Sequence, residues 1–157
     1  MAASYDAAAT GYEQAALRFA PFVAARLAAW IKPLAGARVL DVGTGTGYLA
    51  EALVQYLRPA GRIQAIDVSE RMLARLQEKL VRRGWTDIDT FVMDAQALEF
   101  RSDYFDLVAA SLVLGELADP EAALRAWMRS TRPGGTIAAT TLAHTSFTPC
   151  ATICAVS

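Results

Sequence analysis

The sequence is poor in cysteine, histidine and lysine. Its 157 residues include two cysteines, Cys150 and Cys154, both among the last eight positions, and a single histidine, His144. Two thiols four residues apart and one separate imidazole do not supply the four ligands of a closed zinc site, and they form no disulfide framework. We therefore expect no metal site and a reducing compartment, the cytoplasm.

The chain also lacks long apolar runs, strong charge and low-complexity composition. Its net charge is -1, which argues against a nucleic-acid-binding face. No run approaches the roughly 20 apolar residues that a membrane span requires, and Asp6, Glu13 and Arg18 interrupt the Ala-rich beginning where a signal peptide would have its apolar core. Because 54% of the residues are hydrophobic, the composition predicts one soluble globular domain.

The hydrophobic periodicity alternates between that of helices and that of strands. In the first 34 residues, a helix with Pro21 in its first turn is predicted to bury one apolar stripe: Phe22, Val23, Leu27, Trp30, Ile31 and Leu34. Farther along, the pattern predicts strands over 39–42, 62–66, 88–93, 105–110 and 136–142, with helices over 48–57, after Ser69 as N-cap, and after Asp119-Pro120. This alternation predicts an α/β fold with a doubly wound, mostly parallel sheet.

The last fifteen residues, 143–157, differ from the rest because they contain no acidic residue, lysine or arginine and show no clear period. Two explanations stay open for this tail. One is a shifted reading frame at the 3′ end of the gene, and the other is a natural short strand or loop.

The most informative segment is VLDVGTGTG at residues 39–47, which joins the first predicted strand to a helix. Its glycines, Gly43, Gly45 and Gly47, allow positive φ and close approach of the backbone to a ligand. In an open α/β sheet, ligands lie beyond the carboxyl ends of the strands. Asp67 ends the second strand twenty residues after Gly47, the spacing of an acidic residue that binds ribose hydroxyls. The segment therefore predicts a nucleotide-like ligand.

Two residues favour a cofactor without phosphate. The dinucleotide fingerprint G-x-G-x-x-G has its third glycine where this chain has Tyr48. Asp41 lies just before the loop, where a carboxylate repels phosphate and attracts a cation. S-adenosylmethionine carries an ammonium and a sulfonium group and no phosphate, so the charge pattern favours it over NAD.

With these motifs the chain resembles the class I S-adenosylmethionine-dependent methyltransferases, in the broad group that includes quinone-biosynthesis and other small-molecule methyltransferases. The resemblance extends from Arg38 to Leu142. It comprises five motifs in order: VLDVGTGTG at 39–47, DVSERML at 67–73, VMDA at 92–95, FDLV at 105–108 with SLVL at 111–114, and RPGG at 132–135.

The resemblance implies a set of cofactor-binding residues. They are Asp41, Gly43, Thr44, Gly45, Gly47, Asp67, Val68, Met72, Asp94, Ala95, Ser111, Leu112 and Tyr12. In the family, the glycine loop and the residue matching Asp41 hold the methionyl part, and the residue matching Asp67 holds the ribose. The matches to Val68, Asp94 and Ala95 contact adenine, whereas those to Ser111 and Leu112 form the floor near the sulfonium. Tyr12 is either a lid over the pocket or a surface aromatic.

The implied function is direct methyl transfer to a small-molecule acceptor, whose identity and methylated atom the sequence does not indicate. Glu116 and His144 are candidates for a base, and neither is assigned, since Glu116 lies where relatives often have a His-containing segment. A module that binds S-adenosylmethionine without turnover stays open, as does an NAD-dependent oxidoreductase.

The family resemblance also divides the chain into three parts. These are an N-terminal helical arm or lid at 1–36, an S-adenosylmethionine-binding domain at 37–142 and the atypical tail at 143–157. The family's sheet continues with two further strands, the last one antiparallel, and we expect this chain to lack both. Strand five would then form an exposed edge, as in a truncated product, unless a partner chain in a homo-oligomer covers it.

Overall fold

The computed structural model describes Asp6, residues 19–142 and the backbone of residues 149–154. Within these ranges, the helices are α1 (Phe19–Ile31), α2 (Tyr48–Leu57), α3 (Glu70–Arg83) and α4 (Pro120–Ser130), with a short 3₁₀ helix at Leu114–Glu116. The strands are β1 (Arg38–Val42), β2 (Arg62–Asp67), β3 (Ile88–Val92), β4 (Phe105–Ser111), β5 (Thr131–Leu142) and β6 (Pro149–Cys154). Tyr12 and His144 lie outside the described residues. None of the helices described is long and apolar enough to cross a bilayer.

All six strands belong to one sheet, in the order β3-β2-β1-β4-β5-β6. The first five run parallel, and β6 is antiparallel to β5. The chain moves outward from β1 to β3 and then returns to β4 on the other side of β1. This reversal of direction, at the carboxyl ends of β1 and β4, is where open α/β sheets bind ligands. The predicted doubly wound, mostly parallel fold is confirmed.

Helices cover both faces of the sheet. Side chains of α1, α2 and α3 pack on one face, and those of α4 pack on the other. Successive residues of β1 point to opposite faces, so Val39 joins the first core and Leu40 the second, and both are fully buried. This two-sided burial explains why the central strands are continuously apolar.

The buried face of α1 differs from the predicted stripe. Val23 and Leu27 are buried as expected, but Phe22 and Trp30 are each 60% exposed. The other buried positions are the small residues Ala24 and Ala28, which pack in the same core as α2. The prediction was wrong because it selected large side chains, whereas the helix packs through small ones.

The start of β5 also differs from the sequence prediction. The strand predicted over 136–142 begins at Thr131, so it includes the Pro133-Gly134-Gly135 segment. Phe105 pairs with Thr131 and Leu107 with Thr136, so this segment forms a bulge within the strand. The predicted N-caps are confirmed: the Ser69 hydroxyl accepts a hydrogen bond from Met72 N, and the Asp119 carboxylate accepts one from Ala122 N.

The tail contributes a strand, β6, which the sequence left open as one alternative beside a loop. β6 pairs with β5 from Leu142 opposite Pro149 to Ile137 opposite Cys154. The expectation that β5 would form an exposed edge is therefore wrong, because β6 occupies the edge that a partner chain was expected to cover. Of the two conformations considered for a natural tail, strand and loop, the structure has a strand over Pro149–Cys154.

Candidate functional site

A cavity of about 530 Å³ lies at the carboxyl ends of β1, β2 and β4. Most residues of the cofactor-binding set predicted from the sequence line this cavity: Asp41, Gly43, Thr44, Gly45, Asp67, Val68, Met72, Asp94, Ala95, Ser111 and Leu112. Residues far apart in the sequence thus surround a single space. Two members of the set are not among the lining residues: Tyr12 lies outside the described residues, and Gly47 lies against Leu76 of α3.

Gly47 allows close packing of the loop against α3 and does not line the cavity. Its φ is +93°, a left-handed conformation that side chains disfavour. A Cβ atom at this position would lie 2.3 Å from Leu76 Cδ1 of α3. Gly45 also has positive φ, but a Cβ atom there would meet nothing within 4 Å. The loop therefore needs Gly47 to lie against α3, whereas Gly45 borders open space.

The carboxyl group of Asp41 is buried, and only one of its two oxygens accepts a hydrogen bond of normal geometry. Its residue is 1% exposed, and its Oδ2 accepts a 2.7 Å hydrogen bond from Thr44 Oγ1. Its Oδ1 has no hydrogen bond of normal geometry from a described residue. Burial raises the pKa of this carboxyl group to about 7, although the hydrogen bond from Thr44 and the nearby backbone N–H of Ala50 lower it. A cation in the cavity would stabilise the ionised form.

Asp67 connects the end of β2 to the glycine loop. Its Oδ2 accepts a 2.8 Å hydrogen bond from Gly45 N, and its Oδ1 accepts a 2.9 Å hydrogen bond from Ser69 N. Burial raises the pKa of Asp67, while these backbone donors lower it. The carboxylate therefore holds the loop in place as well as facing the cavity. This organising role has no signal in the sequence, because the contact with Gly45 arises only when β1 and β2 are paired.

The loop after β3 forms another wall of the cavity, with Asp94, Ala95 and Gln96. Asp94 Oδ1 accepts a hydrogen bond of 2.8 Å from Gln96 N, and Gln96 Oε1 accepts one of 2.7 Å from Asp119 N. Behind the loop, Trp127 of α4 is fully buried and donates from Nε1 to the Ala95 carbonyl oxygen at 2.9 Å. The helix α4 thus fixes the position of Asp94 and Ala95.

The floor of the cavity is held in a strained conformation. Leu112 has φ of +63°, which is uncommon for a residue with a side chain. Its N–H group points to Thr140 of β5, with the carbonyl oxygen at 3.0 Å and Oγ1 at 3.1 Å. Thr140 is 4% exposed, so this support comes from within the core.

Several lining residues were not assigned from the sequence. They are Ala20, Ala24, Thr46, Tyr48, Leu49, Met93, Gln96, Val113, Glu116, Leu117 and Ala118. The recurrence of alanine every four residues in α1 was the available signal for Ala20 and Ala24. Tyr48 follows directly on Gly47, at the position of the third glycine in the dinucleotide fingerprint. Glu116, a candidate base left unassigned, lies at the cavity among mostly apolar neighbours.

The cavity has an acidic lining. Four carboxylates line it, those of Asp41, Asp67, Asp94 and Glu116. Among the described lining residues there is no lysine, arginine or histidine. Such a site favours a cationic ligand and disfavours phosphate, because opposite charges attract most strongly where water is excluded.

Comparison with known proteins identifies the family. A family model described as a methyltransferase domain matches residues 40–139. The chain is 34% identical over 102 residues to a ubiquinone/menaquinone biosynthesis C-methyltransferase of Cupriavidus taiwanensis, covering 65% of this chain and 42% of the relative. The enzyme of the same name from Ectopseudomonas oleovorans is 35% identical, with 64% of this chain and 60% of the relative covered. The chain therefore spans about 40–60% of the length of these curated relatives.

Solved structures show the same fold. The [4+2]-cyclase SpnF is 30% identical with a TM-score of 0.69, covering 74% of this chain and 44% of the cyclase. A S-adenosylmethionine-dependent methyltransferase from Aquifex aeolicus is 22% identical with a TM-score of 0.72, covering 80% of this chain and 68% of that protein. With the family match over 40–139, the chain belongs to the class I S-adenosylmethionine-dependent methyltransferases.

Proposed function

We propose that the chain binds S-adenosyl-L-methionine in this cavity and transfers its methyl group to a small-molecule acceptor. The acidic lining carries the proposal. The cofactor brings an ammonium and a sulfonium charge, which four carboxylates attract, whereas the pyrophosphate of NAD would meet repulsion and no described basic side chain. The cavity volume of about 530 Å³ is within the usual range of ligand pockets, about 300–1,000 Å³.

The polar atoms of the cavity fit the cofactor. Asp41 Oδ1 and Thr46 Oγ1 are both buried, and neither has a partner among the described residues. Because buried polar atoms are normally hydrogen-bonded, a ligand that donates to Asp41 would remove this deficit. We propose that the cofactor's ammonium group is that donor, and that Gly43, Thr44 and Gly45 surround the methionyl part.

The remaining walls would bind the nucleoside. We propose that Asp67 accepts from the ribose hydroxyls with the lone pairs that Gly45 N and Ser69 N leave available. Val68 and Met72 would pack against adenine, Asp94 would accept from its amino group, and the Ala95 N–H would donate to the ring. Ser111 and Leu112 would form the floor near the sulfonium, and Tyr12 is proposed as part of a lid.

Bound S-adenosyl-L-methionine supplies a methyl carbon on a positively charged sulfur, an already activated leaving group. An acceptor atom with an available electron pair would take this methyl group, S-adenosylhomocysteine would be the leaving group, and an acceptor that carries a proton on that atom would release the proton to solvent. The chain mainly aligns the two reactants and excludes water. Ala20, Ala24, Leu117 and Ala118 give the cavity an apolar part suited to the body of an acceptor. The name of the curated relatives supports a small molecule of the quinone-biosynthesis type.

Calorimetric titration of the chain with S-adenosylhomocysteine and with NADH tests the cofactor assignment. We expect saturable binding of S-adenosylhomocysteine and none of NADH, with loss of binding in Asp41→Ala. Asp89→Asn, an exposed substitution on β3, is the matched control and should bind normally. Binding of NADH alone would overturn the proposal.

A second function is supported by the similarity to SpnF, a structural neighbour that is named as a cyclase and not as a methyltransferase. The chain would then hold the cofactor without transferring its methyl group. Incubation with methyl-labelled S-adenosylmethionine and a panel of hydroquinones and phenols separates the two functions. Label in an acceptor supports methyl transfer, whereas cofactor binding with no labelled acceptor supports the binding module.

We further propose a cytoplasmic location, which fits the absence of a bilayer-crossing helix among the described residues.

A further inference from the structure

Lys79 of α3 lies directly behind the glycine loop. Its Nζ donates a 2.9 Å hydrogen bond to the Thr46 carbonyl oxygen and lies 4.8 Å from the centre of the Tyr48 ring. It also forms an ion pair of 3.2 Å with Glu51 Oε1. The Lys79 side chain is only 11% exposed, so these contacts are made largely out of solvent. Lys79 is one of two lysines in the sequence, and lysine is almost never buried unless it is paired, which makes this position informative.

The partners of Lys79 belong to the cavity wall. Thr46 and Tyr48 line the cavity, on either side of Gly47. Thr46 is 1% exposed and its Oγ1 has no partner among the described residues, so its hydroxyl group is available to a ligand. Asp41 Oδ1 is the other unpartnered atom of the loop region that lines the cavity. The hydrogen bond from Lys79 to the Thr46 carbonyl oxygen fixes the backbone of the residue that carries this hydroxyl group.

We propose that Lys79 is a positioning residue that holds the Thr46–Tyr48 end of the glycine loop in place for the amino-acid part of the cofactor. The inference rests on the proposed cofactor, because it concerns the side of the cavity assigned to the methionyl group. Lys79 itself does not line the cavity, so it acts through Thr46 and Tyr48. A cation held by a carboxylate, a carbonyl and an aromatic ring fixes all three groups relative to α3.

The fold should remain stable when Lys79 is replaced, because its neighbours keep other contacts. Glu51 keeps a second ion pair, from Oε2 to Arg83 Nη2 at 3.0 Å, so it does not become an unpaired buried charge. The contact between Gly47 and Leu76 also remains. The expected effect of Lys79→Met is therefore on the loop end and on ligand binding.

The test compares two ligands that share the nucleoside. S-adenosylhomocysteine carries the amino-acid part, and 5′-methylthioadenosine lacks it. Lys79→Met should weaken binding of S-adenosylhomocysteine about tenfold, the effect of losing one charge-assisted hydrogen bond, and change binding of 5′-methylthioadenosine less than about twofold. Lys79→Arg, which keeps the charge and donors, should recover most of the affinity. Arg75→Met, an exposed cation on the same helix paired with Glu78, is the control and should change neither affinity.

The outcomes separate this inference from the proposed cofactor. If the wild-type chain binds neither ligand, the proposed function fails. If it binds both, but Lys79→Met binds S-adenosylhomocysteine normally or loses both ligands equally, the positioning role is overturned. Thermal unfolding of each variant shows whether it is folded, and Glu51→Gln provides a second variant of the same contact, expected to give a smaller loss in the same direction.

Discussion

Thr44 Oγ1 donates a 2.7 Å hydrogen bond to Asp41 Oδ2 inside the protein, and the second oxygen of the same carboxyl group has no partner among the described residues. Burial raises the pKa of Asp41 from 3.8 to about 7. The cavity therefore presents a carboxyl group that changes its charge near neutral pH. The consequences for binding and for stability have opposite signs.

Cofactor affinity should increase with pH. An ammonium group at Asp41 favours the ionised carboxylate, so binding below the pKa of the free protein requires loss of a proton. With a pKa of about 7, affinity for S-adenosylhomocysteine should fall roughly tenfold from pH 8 to pH 6. Isothermal titration in two buffers of different ionisation enthalpy measures both the affinity and the proton released. Affinity of the wild-type chain that is constant over this range would contradict the assignment, and Asp41→Asn should show no such dependence.

Stability of the ligand-free chain should change in the opposite direction. The folded state binds the Asp41 proton more tightly than the unfolded state, so the contribution of Asp41 is fully favourable below pH 3.8 and is lost as pH rises through about 7. Asp41→Asn is neutral throughout. It should be more stable than wild type at pH 8, by up to about 4 kcal/mol, and similar at pH 4. Urea denaturation at both pH values measures the difference, and a variant less stable at pH 8 would show that the pKa is not raised.

The glycines of the loop should respond differently to substitution. Gly47→Ala brings a Cβ atom 2.3 Å from Leu76 Cδ1 and keeps φ at +93°, so it should lower the free energy of unfolding by about 2–5 kcal/mol. Gly45→Ala meets nothing within 4 Å and should cost only the left-handed conformation, about 1–2 kcal/mol. Thermal and urea unfolding of the two variants provide the comparison. Equal destabilisation would contradict the close contact with α3.

Trp127 should stabilise the wall that carries Asp94. Trp127→Phe keeps most of the buried ring but removes the donor to the Ala95 carbonyl oxygen. Leaving that buried carbonyl without its partner should cost about 1–3 kcal/mol in the free energy of unfolding. Denaturation measures this cost, and Trp30→Phe, at an exposed position of α1, should change stability by less than about 0.5 kcal/mol. Equal effects at the two positions would contradict the assigned hydrogen bond.

Glu116 should distinguish the sulfonium cofactor from its thioether product. S-adenosylmethionine carries one more positive charge than S-adenosylhomocysteine, at the sulfur. Glu116→Lys reverses a charge at the cavity, so it should weaken binding of S-adenosylmethionine more than that of S-adenosylhomocysteine. Glu116→Gln should lie between wild type and Glu116→Lys. The ratio of the two dissociation constants is the measurement, and a ratio unchanged in Glu116→Lys would place Glu116 away from the sulfur.

Features with a local signal were predicted well from the sequence. The helix at Tyr48–Leu57 has the bounds that were predicted, because it begins directly after the last glycine of the loop and its apolar residues recur on one face. Ser69 and Asp119 are N-caps because a short polar side chain can accept from a backbone N–H of the first turn. The pattern of strands and helices was sufficient for the doubly wound fold.

Features that depend on distant parts of the chain were missed or left open. The strand β6 is defined by pairs such as Ala138 with Ile153, which no local period indicates. The difference between Gly45 and Gly47 depends on where Leu76 of α3 lies, and nothing in the glycine motif reveals it. The buried face of α1 was misplaced because the fit of small residues against α2 outweighed the size of the neighbouring aromatics.

The tail and the cavity are separated by a single strand, β5. Thr140 supports the strained backbone of Leu112 at the cavity floor, and on its other side it pairs with Ala151 of β6. A change in the pairing of β6 can therefore reach the floor of the cavity through one residue of β5, Thr140. For protein engineering, the length and pairing of the tail and the shape of the floor must be treated as coupled variables.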